Sequence, residues 1–92
     1  MDVNDFLVDA KELAGKKVSV EGVAQAFAGM ILLKKELIGT DFATVQTDKV
    51  SRPQRKALIE KCGAGCDVVV RGIARLNYGQ KIIQADEIEI RN

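Results

Sequence analysis

The chain predicts an all-β domain with one helix, its five strands closed into a small barrel in the order β-β-β-α-β-β. Three observations carry that expectation. Two segments fifty residues apart echo each other, Val18-Ser-Val-Glu-Gly-Val-Ala-Gln25 and Val68-Val-Val-Arg-Gly-Ile-Ala-Arg75, each with glycine at its fifth position. A glycine inside a β-branched run marks a bulge, a bend at a barrel corner or a close backbone approach, and two strands bent alike suit a closed barrel. The apolar pattern alternates with period two except near residues 51–63, where the period becomes 3.6. Finally, 92 residues at 47% apolar and 4% aromatic content, without tryptophan, give one aliphatic core. That length buries roughly 60–65% of the unfolded chain's surface, as a single domain.

Residues 3–14 mix Phe6, Leu7, Val8 and Leu13 with acids and stop at Ala14-Gly15. They read as a short lead-in (1–14) with a helical turn at 10–13, tucked against a barrel that spans 15–91. Residues 16–27 form the first strand, with Val18 and Val20 alternating against Ser19 and Glu21 before the bend at Gly22. Ala28-Gly29 is a turn, residues 30–35 the second strand, and residues 37–41 a hairpin loop. Residues 42–47 are the third strand, in which Ala43 and Val45 face one way and Phe42, Thr44 and Gln46 the other.

The helix begins at Ser51, which with Gln54 three residues later fits a capping box. Pro53 falls in the first turn, where its missing N–H costs nothing. Leu58, Ile59 and Cys62 then share one face, and Gly63 supplies the stop. Residues 67–75 are the fourth strand, 76–79 a turn and 80–90 the fifth. Within that last strand the apolar phase changes from Ile83 and Ala85 to Ile88 and Ile90, which a bulge near Asp86-Glu87 explains.

Net charge is only +1, but its distribution is uneven. Residues 1–12 hold four acids against Lys11 and residues 86–92 three against Arg91, which leaves an excess of six positive charges for residues 13–85. No stretch approaches the roughly 18–20 apolar residues of a membrane helix. The acidic start has no small-residue cleavage site, so a signal peptide is not expected. A cytoplasmic location is the default expectation, with a periplasmic or exported one if a leader has been removed.

Catalysis finds no foothold. There is no histidine to act as a base near neutral pH, Ser19 and Ser51 have no partner base nearby, and neither standard phosphate-binding glycine loop occurs. Cys62-Gly-Ala-Gly-Cys66 is the one sulfur motif. It reads either as a core thiol with a reduced neighbour, or as a disulfide stapling the helix end to the fourth strand in an oxidising compartment. Two thiols leave tetrahedral zinc two ligands short. No cofactor or metal is expected, and the chain reads as a non-enzymatic module, monomeric by default.

Five strands with a lone helix between the third and fourth resemble the OB-fold, the five-stranded Greek-key barrel that binds oligonucleotides and oligosaccharides. The Lys-Lys-Val-Ser-Val-Glu-Gly opening and the Gly-Gln-Lys-Ile-Ile-Gln-Ala-Asp-Glu-Ile-Glu-Ile close are similar to two groups within it. One comprises the nucleic-acid-binding barrels attached to replication, recombination and tRNA enzymes, the other the small bacterial OB-fold proteins of the cell envelope. The resemblance makes the first and fourth strands antiparallel neighbours, with Gly22 and Gly72 at barrel corners and Glu21 placed to pair with Arg71.

It also implies a ligand face over the second and third strands and the loops joining strands one to two and four to five. Mapped onto this sequence, that face offers Phe27, Lys34, Lys35, Phe42, Thr44, Gln46, Arg75, Tyr78 and Lys81. Cations would meet phosphates and rings would stack on bases. Single-stranded nucleic acid is the first expected partner. Another ligand or a protein partner, as for an envelope or accessory domain, is the alternative. Arg52, Arg55, Lys56 and Lys61, with Lys49 just ahead, form a second basic cluster that reads as a solvated face or as a contact surface for an acidic partner.

Overall fold

The structure, a computed structural model, describes residues 1–36 and 41–91. Its elements run α1 (Val3–Leu13), β1 (Lys17–Phe27), β2 (Met30–Lys34), β3 (Ala43–Gln46), α2 (Arg52–Lys61), β4 (Cys66–Asn77) and β5 (Gln80–Ile90). The strands close into a barrel in the order β1-β2-β3-β5-β4, with β4 returning to β1. Every neighbouring pair is antiparallel except β3 with β5. The expected five-stranded barrel is therefore present, and one helix more than the sequence led us to expect. The 37–41 hairpin loop lies, at 37–40, outside the described residues.

The fifty-residue echo has a geometric meaning. In β1 against β4, Val20 faces Val70, and residues on either side pair so that Val18 meets Gly72 and Gly22 meets Val68. The two strands are thus related by a local two-fold at Val20 and Val70, with the glycines symmetric about it. The relation extends through both hairpins. Val23 pairs with Lys34 as Ile73 pairs with Gln84, and Phe27 pairs with Met30 as Asn77 pairs with Gln80. The connecting residues Ala28-Gly29 and Tyr78-Gly79 all have positive φ, at 51° and 79° in each hairpin. Two-residue turns of that kind match the right-handed twist of the flanking strands. The second turn is consequently tighter than the expected 76–79, and Leu76 and Asn77 belong to the strand.

Each glycine abuts the carbonyl of the equivalent residue across its hairpin. A Cβ on Gly22 would lie 2.8 Å from the Lys34 oxygen, and one on Gly72 would run into the Gln84 oxygen and lie 2.7 Å from the Ala85 Cα. Beside Gly72 the register slips by one residue, since Arg71 faces Glu87 and Gly72 faces Ala85, leaving Asp86 as the bulge. That is where the apolar phase of β5 changes.

The predicted pairing of Glu21 with Arg71 does not form. Register places Ser19 opposite Arg71 and Val69 opposite Glu21. Arg71 instead meets Glu87 at 2.7 Å and Glu89 at 3.5 Å, while Arg91 lies 2.7 Å from Glu89 and 3.8 Å from Glu21. The largest influence on the Glu89 carboxyl is the hydrogen bond from Arg91, which holds it below its ordinary range.

Where a single helical turn at 10–13 was expected, α1 is a full helix of eleven residues. Asp2 caps it by accepting from the Asn4 amide at 2.8 Å, satisfying one of the orphan donors of the first turn. Val3, Phe6, Leu7 and Ala10 are buried at helical spacing. Burial contributes roughly 1.5–3 kcal/mol for each of the larger three. The segment before the helix also extends the sheet: the Met1 ammonium donates to the Ser19 carbonyl and the Glu21 amide to that of Met1.

The two helices close opposite mouths of the barrel. Near α1 lie the end of β2, where Lys35 meets Asp2, and the start of β5, where Lys81 shares a recess with Leu7. Near α2 lie the other ends of those strands, Ile31 and Ile88. Leu58 and Cys62 are fully buried, but Ile59, expected beside them, is 60% exposed. The capping box is absent as well, since Ser51 makes no side-chain cap bond. Gln54 turns away from Ser51 to the barrel, where its amide group donates to the Ile88 carbonyl and accepts from the Ile88 amide. Cys62 and Cys66 are joined by a disulfide with their Cα atoms 5.1 Å apart, tying the end of α2 to the start of β4.

Candidate ligand face

Alternation along each strand sorts the barrel wall into an inner and an outer set. Ala24, Ile31, Leu33, Ala43, Val45, Ala74, Ile83 and Ala85 point inward and are buried in one cluster. Their neighbours form the outer face. One row across it follows from register alone, with Gln25 beside Leu32, Leu32 beside Thr44, Thr44 beside Ile82, and Ile82 beside Arg75. On one side of that row Phe27 pairs with Met30, and Gln46 with Gln84 and then Ile73. On the other side Lys34 and Phe42 flank the Leu33–Ala43 pair, and Gln80 pairs with Asn77.

None of these outer residues is an aspartate or glutamate. The two cations among them are engaged by neutral amides, Lys34 with the Gln25 side-chain oxygen at 3.1 Å and Arg75 with that of Gln84 at 3.2 Å. Their charge is oriented and not cancelled by a carboxylate. Phe27 is 65% exposed and Phe42 43%, so both rings have an accessible surface. Between them Leu32 is half-buried and Ile82 buried, which gives the face an apolar floor.

Of the nine residues mapped from the sequence, Phe27, Lys34, Phe42, Thr44, Gln46 and Arg75 lie on this face. Tyr78 stands fully exposed at the tip of the β4–β5 turn. Lys35 does not join them, because its ammonium sits 2.6 Å from the Asp2 carboxylate. That hydrogen bond is the main cause both of the lowered Asp2 pKa and of the raised Lys35 pKa. Lys81 has the inward phase of Ile83 and ends at the barrel mouth, in the recess with Leu7, Asp41 and Phe42. Sequence reasoning missed Gln25, Met30, Leu32, Ile73 and Gln84. Stepping back by two from Phe27 would have found Gln25, but Ile73 and Gln84 require the register.

No family model matches the chain, and no curated protein does. Solved structures do match. The OBody AM1L10 bound to hen egg-white lysozyme is similar at a TM-score of 0.67 and 22% identity, over 88% of this chain and 83% of that one. The OBody AM3L09 bound to hen egg-white lysozyme is similar at 0.67 and 22%, over 88% and 86%. Asparaginyl-tRNA synthetase from Pyrococcus horikoshii is similar at 0.61 and 24%, over 86% of this chain and 20% of the synthetase.

The barrel has an OB fold. At these identities the likeness is one of fold, and the chain spans about a fifth of the synthetase's length. In an OB barrel the β2–β3 surface, flanked by the β1–β2 and β4–β5 loops, is where ligands cross. Here that surface is the face just described, with Asp41 at its edge beside Phe42 and Thr44. Among the described residues no cluster of three or more histidine, cysteine or acidic side chains is placed to hold a metal ion, and no helix is long and apolar enough to cross a membrane.

Proposed function

We propose that this OB barrel is a non-enzymatic binding module for single-stranded nucleic acid, taken up across the outer face of β2, β3 and β5. The observation that carries the reading is that the paired rows from Gln25 to Arg75 and from Gln46 to Ile73 contain no acid, the carboxylates of β5 lying beyond them at Asp86, Glu87 and Glu89, so that a polyanion is repelled least there. Phe27 and Phe42 offer stacking surfaces, each worth about 1–3 kcal/mol per base where such contacts form. Gln25, Gln46 and Gln84 bear both donors and acceptors, the chemistry that unstacked base edges present. Lys34 and Arg75 supply the phosphate contacts. The similarity of the fold to part of a tRNA synthetase supports the reading.

Fluorescence polarisation with labelled single-stranded DNA and RNA tests it. Two phosphate contacts predict a log–log salt slope of about −1.4, at about −0.7 per phosphate. Lys34→Ala with Arg75→Ala is expected to flatten that slope, and Phe27→Ala to weaken binding at every salt concentration. No binding at low salt with protein in the high micromolar range refutes the proposal. A second reading follows from the small number of cations and the exposed Phe27, Met30 and Phe42: the same face takes a protein partner, as OBodies are seen bound to lysozyme. A tight partner whose affinity is indifferent to salt, with no nucleic-acid binding, would select it.

A further inference from the structure

Two further clusters of charge, of opposite sign, lie on the helices at the two barrel mouths. On α1, Asp5, Val8, Asp9 and Glu12 are exposed at i, i+3, i+4 and i+7 spacing, which puts them on one stripe. Val8 is 82% exposed at the edge of it, with Asp5 and Glu12 on one side and Asn4 and Lys11 on the other. Asp9 and Glu12 make no ion pair with any described residue.

At the other mouth, α2 and the β1–β2 turn enclose a cleft of about 490 Å³. Ile31, Leu58 and Ile59 form its apolar wall, and Arg52, Arg55 and Lys56 line it together with Glu60. The Arg55 Nε is shut away from solvent with no hydrogen-bond partner. Among the described residues the one ion pair in the cluster is the exposed Lys56–Glu60 contact at 3.9 Å. The first turn of α2 contains no acid, so Arg52 and Arg55 sit where the helix dipole disfavours cations. Helix stability does not account for their placement.

We propose that the α1 stripe of one copy docks in the α2 cleft of a second copy. Val8 enters against Ile31 and Ile59, while Asp5, Asp9 and Glu12 meet Arg52, Arg55 and Lys56. An apolar anchor flanked by charge on one helical face is how a helix is read by a groove, and this chain carries both halves. Since α1 and α2 close opposite ends of one barrel, the two surfaces cannot meet within a molecule. The contact is heterologous, and copies add head to tail. The outer face of β2, β3 and β5 stays open, so the inference does not depend on what binds there.

Sedimentation of the full chain at about 20 mM and about 500 mM salt tests the docking, since screening shortens from roughly 20 Å to a few ångströms over that range. The expected result is a weight-average mass above the monomer, rising with protein concentration at low salt and falling back at high salt. Val8→Asp and Ile59→Asp each remove one surface and are expected to be monomeric alone. Mixed, they keep one intact surface apiece and form a 1:1 pair. Asp9→Lys is expected to behave as Val8→Asp does. Circular dichroism matching the wild type establishes that these exposed substitutions leave the fold intact. A wild-type chain that stays monomeric at millimolar concentration in low salt overturns the proposal, as does a mixture that forms no pair.

Discussion

Gly22 and Gly72 are equivalent in the repeated sequence, yet alanine at the two positions is expected to have different costs. A Cβ on Gly72 meets backbone only: the Gln84 carbonyl and the Ala85 Cα, the latter at 2.7 Å. Restoring ordinary contact at about 3.4 Å requires β4 and β5 to open by more than the roughly 0.7 Å that the Ala85 Cα alone demands, because the Gln84 oxygen is closer still, and this stretches an N–H···O bond of about 2.9 Å past its useful range. Losing two flanking ladder bonds costs about 1 kcal/mol each, and the overpacking adds about 1–3 kcal/mol. The sum is about 3–5 kcal/mol. At Gly22 the nearest atom is the Lys34 oxygen at 2.8 Å, and the other two neighbours are side-chain methyls of Leu33 and Val3 at 3.1 Å, so one backbone atom must give instead of a run of three. About 1–2 kcal/mol is expected there. The unfolded-state entropy removed by alanine, about 0.4–1 kcal/mol, acts on both variants and cancels in the comparison. Urea unfolding followed by circular dichroism gives both values directly. Equal costs, a reversed order, or a Gly72→Ala cost below about 1 kcal/mol would refute the close-approach argument.

Three further outcomes follow from particular contacts in the structure. Gln54→Ala removes both hydrogen bonds to the Ile88 backbone and is expected to cost about 1–3 kcal/mol, whereas Ser51→Ala should fall within about 0.5 kcal/mol because no cap bond is lost; urea midpoints of the two variants decide it. Reducing the Cys62–Cys66 disulfide reopens a short loop, which the chain-entropy relation values at about 2 kcal/mol. The thermal midpoint should therefore drop by about 10 °C in reductant, and a midpoint insensitive to reductant would remove the bond from the stability argument. The Asp2 carboxyl is held below its ordinary value chiefly by the Lys35 hydrogen bond and then by the Asn4 amide. A lowered folded-state pKa means stability that is present above the unfolded value, 3.8, and is lost as pH falls through the folded one. Asp2→Asn keeps a capping acceptor but cannot titrate, so its urea midpoint should fall less than that of wild type between pH 6 and about pH 2.5.

Period-two alternation identified the strands because burial inside a barrel is decided residue by residue, as with Val18 and Val20 or Ala43 and Val45. The β5 bulge was readable for the same reason: only an extra residue reconciles Ala85 with Ile88 as inward positions. The α1 helix escaped notice although its signals were present, Asp2 at the cap and Val3, Phe6, Leu7 and Ala10 at helical spacing. Short helices gain most of their stability from docking, and the mouth that receives this one forms only when β4, far along the chain, closes against β1 and β2. Gln54 was misread on similar grounds, since its local partner Ser51 competes with a backbone segment 34 residues away.

The failed Glu21–Arg71 pairing shows where a repeat ceases to inform. The echo relates residues that differ by fifty, whereas antiparallel register between β1 and β4 relates residues whose numbers sum to ninety. Only Val20 and Val70 satisfy both, so equivalence in the repeat and contact across the strands coincide at that one pair. Every other equivalent pair is separated across the local two-fold, which is why Gly22 and Gly72 each touch their own hairpin and not each other. The composition of the ligand face was hidden for a related reason. Its five strands meet on one surface through four register relations, so the residues that compose it are scattered through the sequence and become neighbours only on the closed barrel.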